Sequence, residues 1–283
     1  MPDNSTSSLF FAVAIAATFG YALQSTLMTS FYRSMDRLSA VAYRGLSLGI
    51  TMLPLLFFVP YSELNVLSPL FYSVAAASFC AALGNWCAAN AYSHLPVGIA
   101  SALSMSFATI VVVVFGYLLF DESLSTLQLI LIFGILGAVF GLGVTKSTGS
   151  LPDEFSIPKG ALNSLLFGIF LGTAYSIIAQ ASRDYHPFLV GYLWEFTIGI
   201  FALLFCCARK WLNASGIERI GVKRFARLSA YSAPTVVGTG AYAMATTLGP
   251  VGIATAIIGT LMVFNAVLAR FLYGERLSKV RWV

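Results

Sequence analysis

The chain has 283 residues, of which 58% are apolar and only 10% charged, and it carries a net charge of +5. A soluble domain has about 25% charged residues, so this composition excludes a water-soluble globular protein and makes lipid the solvent. In lipid only helices or a closed barrel satisfy the backbone, and apolar runs of about 20 residues without strict alternation select helices.

Nine such runs follow one another, at about 9–29, 39–58, 68–91, 96–119, 126–145, 159–182, 187–208, 229–248 and 251–273. Residues 1–8 (MPDNSTSS) lack the basic start of a signal peptide, so the first run reads as a retained span. The segment 146–158 is polar with two prolines and joins two halves of the chain. The segment 209–228 is basic with interleaved apolar residues. It reads as an interfacial cytoplasmic helix, with a lipid- or partner-binding helix as the alternative. Cys80, Cys87, Cys206 and Cys207 have no metal-type spacing and read as small core residues.

The halves repeat each other. Pro96, Val97, Gly98, Ile99, Ala100 and Ala102 recur as Pro250, Val251, Gly252, Ile253, Ala254 and Ala256. Glu122-Ser123-Leu124-Ser125 recurs as Glu275-Arg276-Leu277-Ser278. Each copy is therefore an apolar helix opened by a Pro-Val-Gly turn and closed by an acidic exit. Five runs lie in residues 1–150 and four in 151–283; symmetry calls for a tenth after Val283. An odd number of spans per half inverts the second half against the first. The expected fold is an all-α integral membrane protein of two inverted-topology repeats of five transmembrane helices, with the solute site near the midplane between them. Spans 1–4 are expected to rock against spans 6–9, with span 5 at the periphery.

Lysine and arginine set the orientation. Arg33, Arg37, Lys146, Lys159, Arg209, Lys210 and the basic residues of 219–227 and 276–281 share one face. The other carries Asp3, Glu63, Asp121, Glu122 and Asp184 with Arg183 as its only basic residue. This places the first face in the cytoplasm, the amino terminus outside, and the protein in the cell membrane.

These motifs resemble the drug/metabolite transporter superfamily, EamA-type: the duplicated Pro-Val-Gly-Ile-Ala opening, the apolar helix, the acidic-x-Leu exit, and Ala42-Tyr43-Arg44 at the start of span 2. The similarity covers about 9–278. It implies ten spans and export or exchange of amino acids or other small metabolites through a central cavity. The chain departs from the family at Thr109 and Met262, where a mid-span proline is frequent, and at Phe19, where a tryptophan is. Family members often keep the amino terminus inside, opposite to the charge reading.

Polar groups in lipid are functional candidates by default. Glu195 lies eight residues past Pro187, roughly 12 Å along a helix and near the middle of a core about 30 Å thick. It could couple a proton, balance an amine, or hold a neighbouring helix. Arg44 could bind a substrate carboxylate, pair with Glu195, or snorkel to headgroups. Gln24, Asn85, Tyr242 and Asn265 either line a cavity or tie helices together. Trp86, Tyr21, Tyr175, Tyr192 and Trp194 either wall a site or pack. The expected substrate-binding set is Glu195, Gln24, Asn85, Trp86, Tyr175, Trp194, Tyr242, Asn265 and Arg44, with Glu195 also as the coupling residue. No metal, cofactor or nucleic acid is called for; the partners are a small-molecule substrate and the bilayer, and a homodimer stays open.

Two rival classes fit less well. His94 and His186, the only histidines, lie on opposite faces and outside any hydrolase motif, which argues against an intramembrane enzyme. A receptor would carry a sizeable soluble region. The reading is a carrier of small polar or zwitterionic solutes such as amino acids, proton-coupled through Glu195; the alternative is a proton-independent facilitator or exchanger of organic cations or other metabolites.

Overall fold

Capping residues and prolines decide where the helices break. In the computed structural model, residues 4–122, 156–212 and 214–275 are described, with 125–127, 129, 130, 133, 134 and 137 besides. Helix α1 (Asn4–Ser34) ends just before Asp36, whose carboxylate accepts the Ser39 N–H at 2.9 Å and starts α2 (Arg37–Thr51). The span expected at 39–58 loses its α-helix after Thr51. Pro54 removes an N–H donor there, and the chain continues as short 3-10 turns at Leu53–Phe58 and Tyr61–Val66. Helices α3 (Leu67–His94) and α4 (Val97–Phe120) are separated by Leu95-Pro96. The expected span 126–145 lies mostly outside the described residues.

In the second half, α5 (Ile157–Asp184) and α6 (Pro187–Trp211) meet at His186, whose Nδ1 accepts the Phe188 N–H. The basic segment starts inside α6, which runs to Trp211; residues 214–221 are not helical, and helix resumes at α7 (Val222–Ser232), with Val222 exposed on its outer face. The expected span 229–248 is thus the end of α7, a turn at Ala233-Pro234, and α8 (Thr235–Leu248). The expected span 251–273 is broken without a proline into α9 (Val251–Gly259) and α10 (Leu261–Tyr273). At the break Thr260 N bonds Ile257 O and Val263 N bonds Thr260 O, the tighter i→i+3 pattern, and the Thr260 hydroxyl also donates to Ile257 O at 2.6 Å.

Among the described residues six helical segments are long and apolar enough to cross a membrane. Large apolar side chains such as Phe11, Phe19, Phe71, Tyr117, Leu118 and Phe271 are exposed on the outside, whereas the interior is rich in alanine. That is the pattern of lipid-facing bulk around a closely packed small-residue core. Cys87 and Cys206 sit in this core, while Cys207 is exposed and all four cysteines are free.

The repeats interlock rather than forming separate bundles. The main contacts of α3 and α4 are with α5, and those of α1 are with α8, α9 and α10. Two sets of helices can be distinguished, α3–α4–α5 and α1–α8–α9–α10, each mixing both repeats, and they meet where α4 packs on α9 and α10 as closely as α1 does. Helices α2 and α6 cross at Gly45 and Gly199, where a Cβ on either would run into the other's backbone. Gly20 of α1 and Gly238 of α8 permit an equally close approach. Gly168 and Gly172 of α5 do the same against α4, whereas Gly134 and Gly137 face open space. Most of the packing therefore runs between spans 1–4 and spans 6–9 rather than within either set.

Candidate functional site

A cavity of about 60 Å³ lies where α1, α2, α3, α5 and α6 converge, and it is lined by six of the nine expected residues: Gln24, Arg44, Asn85, Tyr175, Trp194 and Glu195. The α2–α6 crossing places Arg44 opposite Glu195. Their charged groups approach to 3.1 Å, with both residues buried, 3% and 2% exposed. Thr239 of α8 donates to Glu195 Oε1 at 2.6 Å, and the Tyr21 hydroxyl lies 3.0 Å from the Thr239 hydroxyl. A chain of polar contacts thus links α2, α6, α8 and α1 across the molecule's centre. Tyr175 packs edge-on to Trp194 with ring centres 5.6 Å apart, and Phe167, Leu171, Ile198 and Leu261 complete a largely apolar wall.

The other three expected residues lie elsewhere. Trp86 is 37% exposed on the outside of α3. Tyr242 is buried behind Tyr175 and donates to its backbone carbonyl at 3.0 Å. Asn265 is fully buried between α10 and α1, where its Oδ1 accepts from Ser25 and Thr26. Tyr192 stacks on Phe196 within α6. Thr239, Tyr21 and Ser25 were not among the expected nine; hydroxyls are common in apolar spans and most simply bond the preceding turn.

A second feature lies at the two ends of α4. The duplicated motifs meet in trans. Glu275, just past α10, accepts the Val97 N–H at the start of α4 at 2.8 Å, and its other oxygen lies 2.8 Å from Arg33 Nη2. Arg33 also donates to the Tyr92 and Leu95 carbonyls and lies over the Tyr273 ring. At the opposite end Glu122, just past α4, accepts the Val251 N–H at 3.0 Å and lies 2.8 Å from Arg183 Nη2. Arg183 donates to the Thr246 and Gly249 carbonyls and lies over the Phe120 ring. Every partner has its counterpart in the other repeat. Each glutamate caps orphan N–H groups at the positive end of a helix from the other repeat. The 24 residues of α4 put the two clasps roughly 36 Å apart, somewhat more than the roughly 30 Å of a membrane's hydrocarbon core.

Each glutamate reaches its place through a left-handed residue. Asp121 (φ 50°) and Gly274 (φ 64°) end α4 and α10. The N–H groups of Asp121 and Glu122 both bond back to Gly116 O, and those of Gly274 and Glu275 to Ala269 O, so the two helices close in the same way. Both clasps bridge the same two sets of helices: arginine, glutamate and aromatic ring come from one, and the carbonyls and helix start from the other.

An all-helical membrane protein of two interlocked, inverted repeats around a central polar cavity is the architecture of a secondary transporter. The EamA-like transporter family matches residues 8–144 and 158–283, and the chain belongs to that family, within the drug/metabolite transporter superfamily. A protein of known crystal structure shares the fold, with a TM-score of 0.69 and 15% identity, over 97% of this chain and 92% of its own. No curated protein matches the chain.

Proposed function

We propose that the chain is an alternating-access carrier of small polar or zwitterionic solutes. In this reading the groups α3–α4–α5 and α1–α8–α9–α10 rock about the α2–α6 crossing and release one clasp at a time. The observation that carries it is the matched pair of clasps, at opposite ends of α4 and across the same two sets of helices. Equivalent halves that exchange roles on the two faces are the physical basis of alternating access. With both clasps engaged the cavity is about 60 Å³, far below the roughly 300 Å³ at which small-molecule sites begin, in keeping with a contracted state. Glu195 is engaged by Arg44 and Thr239, which favours the proton-independent version over obligatory coupling. The lysine and arginine asymmetry supports placing the Arg33 face in the cytoplasm.

The test uses proteoliposomes loaded with a small-molecule cell extract, with mass spectrometry of what leaves. Arg33→Cys and Glu275→Cys, in a background without the native cysteines, are bridged by a reducible bifunctional thiol reagent. Flux should stop on bridging and return on reduction, and an imposed proton gradient should leave its rate unchanged. Flux that continues through the bridged protein overturns alternating access; acceleration by the gradient restores coupling.

A further inference from the structure

We infer that the cavity holds its solute by a carboxylate, bound by Arg44 and the Trp194 indole. This rests on the carrier reading and narrows its substrate class. Arg44 Nε and Nη1 and Trp194 Nε1 are buried donors without a partner in the protein, and both residues line the cavity. Only Nη2 of the guanidinium is engaged, by Glu195. Two further nitrogens of a planar, permanently charged fork are therefore available, the donor set that suits a carboxylate. Buried donors are costly to leave unmatched, so a ligand supplying acceptors is favoured where one supplying donors is not.

The carboxylate of the cavity wall is already engaged. Glu195 is the one carboxylate among the lining residues. Its Oε1 accepts from Thr239 and Arg44. Its Oε2 makes no well-directed hydrogen bond yet lies 3.1 Å from Arg44 Nη2, within the ion pair. An ammonium group would have to take Glu195 from Arg44 and leave the arginine buried alone, a penalty much larger than the new ion pair would return. The rest of the wall, with Phe167, Leu171, Ile198 and Leu261, suits a compact apolar body behind the charged group.

The test is the identity of the solutes that leave proteoliposomes loaded with a small-molecule cell extract, for the parent, Arg44→Lys and Trp194→Phe. Lysine keeps the charge but not the fork, and phenylalanine keeps the ring but not the N–H; thermal unfolding checks that both remain folded. The exported solutes should carry a carboxylate, and each variant should slow them roughly tenfold, the scale of one lost charge-assisted hydrogen bond. Export of amines or neutral solutes without a carboxylate overturns the assignment and leaves the carrier intact. Carboxylates that move at parent rates through both folded variants overturn the roles of Arg44 and Trp194. If nothing moves through the folded parent, the carrier reading falls and this assignment with it.

Discussion

Arg44 and Glu195 are each buried by an element that the other's element approaches. Removing one partner strands a charge in the core, which costs about 3–5 kcal/mol; removing both can be close to neutral. Arg44→Met and Glu195→Met alone should each lower the thermal unfolding temperature sharply, and the double variant should recover most of that loss. Equal losses that simply add would show that the two do not act as a pair. Glu195 was legible from its spacing to Pro187, because helical rise converts residue number into depth. Arg44 was not resolved between pairing and snorkelling, since its depth depends on which way α2 faces. Asn265 and Tyr242 share the residue types of cavity groups, yet Ser25, Thr26 and the Tyr175 carbonyl take their polar atoms.

At the ends of helices, backbone geometry and charge decide the structure. Asp121 occupies the left-handed conformation that Gly274 adopts at the matching place, so Asp121→Gly should be tolerated without loss of stability. Asp121→Val should cost about 1–2 kcal/mol, because a β-branched side chain clashes there; equal melting temperatures for the two would contradict the αL assignment. On the Arg33 face Asp36 accepts a two-pronged contact from Arg209, both bonds at 2.8 Å, besides capping α2 through Ser39. Burial pushes its carboxyl pKa up, but the bonds from Arg209 and Ser39 more than offset this and hold it below the ordinary value. A carboxyl with a lowered pKa stabilises the fold above its unfolded value, about 3.9, and the stabilisation fades as pH falls through the folded value. The stability gap between the parent and Asp36→Asn should therefore stay constant from about pH 8 to 5 and shrink only below about pH 4. A gap that vanishes already at pH 6 would contradict this role. Most helix starts were readable from Pro, Ser and Asp signals. The early end of α2 was blurred because apolar residues continue past Pro54, and the break at Thr260 because neither glycine nor threonine forces one.

Over the whole molecule, the duplication was visible in the sequence but its meaning was not. Repetition of Pro-Val-Gly-Ile-Ala and of Glu-x-Leu-Ser shows that two elements are alike; it does not show that each glutamate serves the other repeat's helix. The charge reading set Arg183 apart as the basic residue of an otherwise acidic face, and its placement near the end of α5, matching Arg33 near the end of α1, was the available signal. The interlocked packing was likewise hidden, because helix faces of alanine and glycine carry little periodicity. The central claim is that each clasp closes one side of a common cavity. It is tested by placing a cysteine at Ala88, a cavity-lining residue, in a background without native cysteines, and labelling it with a membrane-impermeant maleimide from either side of sealed, oriented vesicles. Loss of a capping carboxylate and its ion pair should weaken a clasp by about 1–2 kcal/mol, roughly a 5–30-fold shift in population. Glu122→Gln should raise labelling from the Arg183 face alone, and Glu275→Gln from the Arg33 face alone. Labelling that stays unchanged in both variants, or rises on the same side in both, would contradict the account.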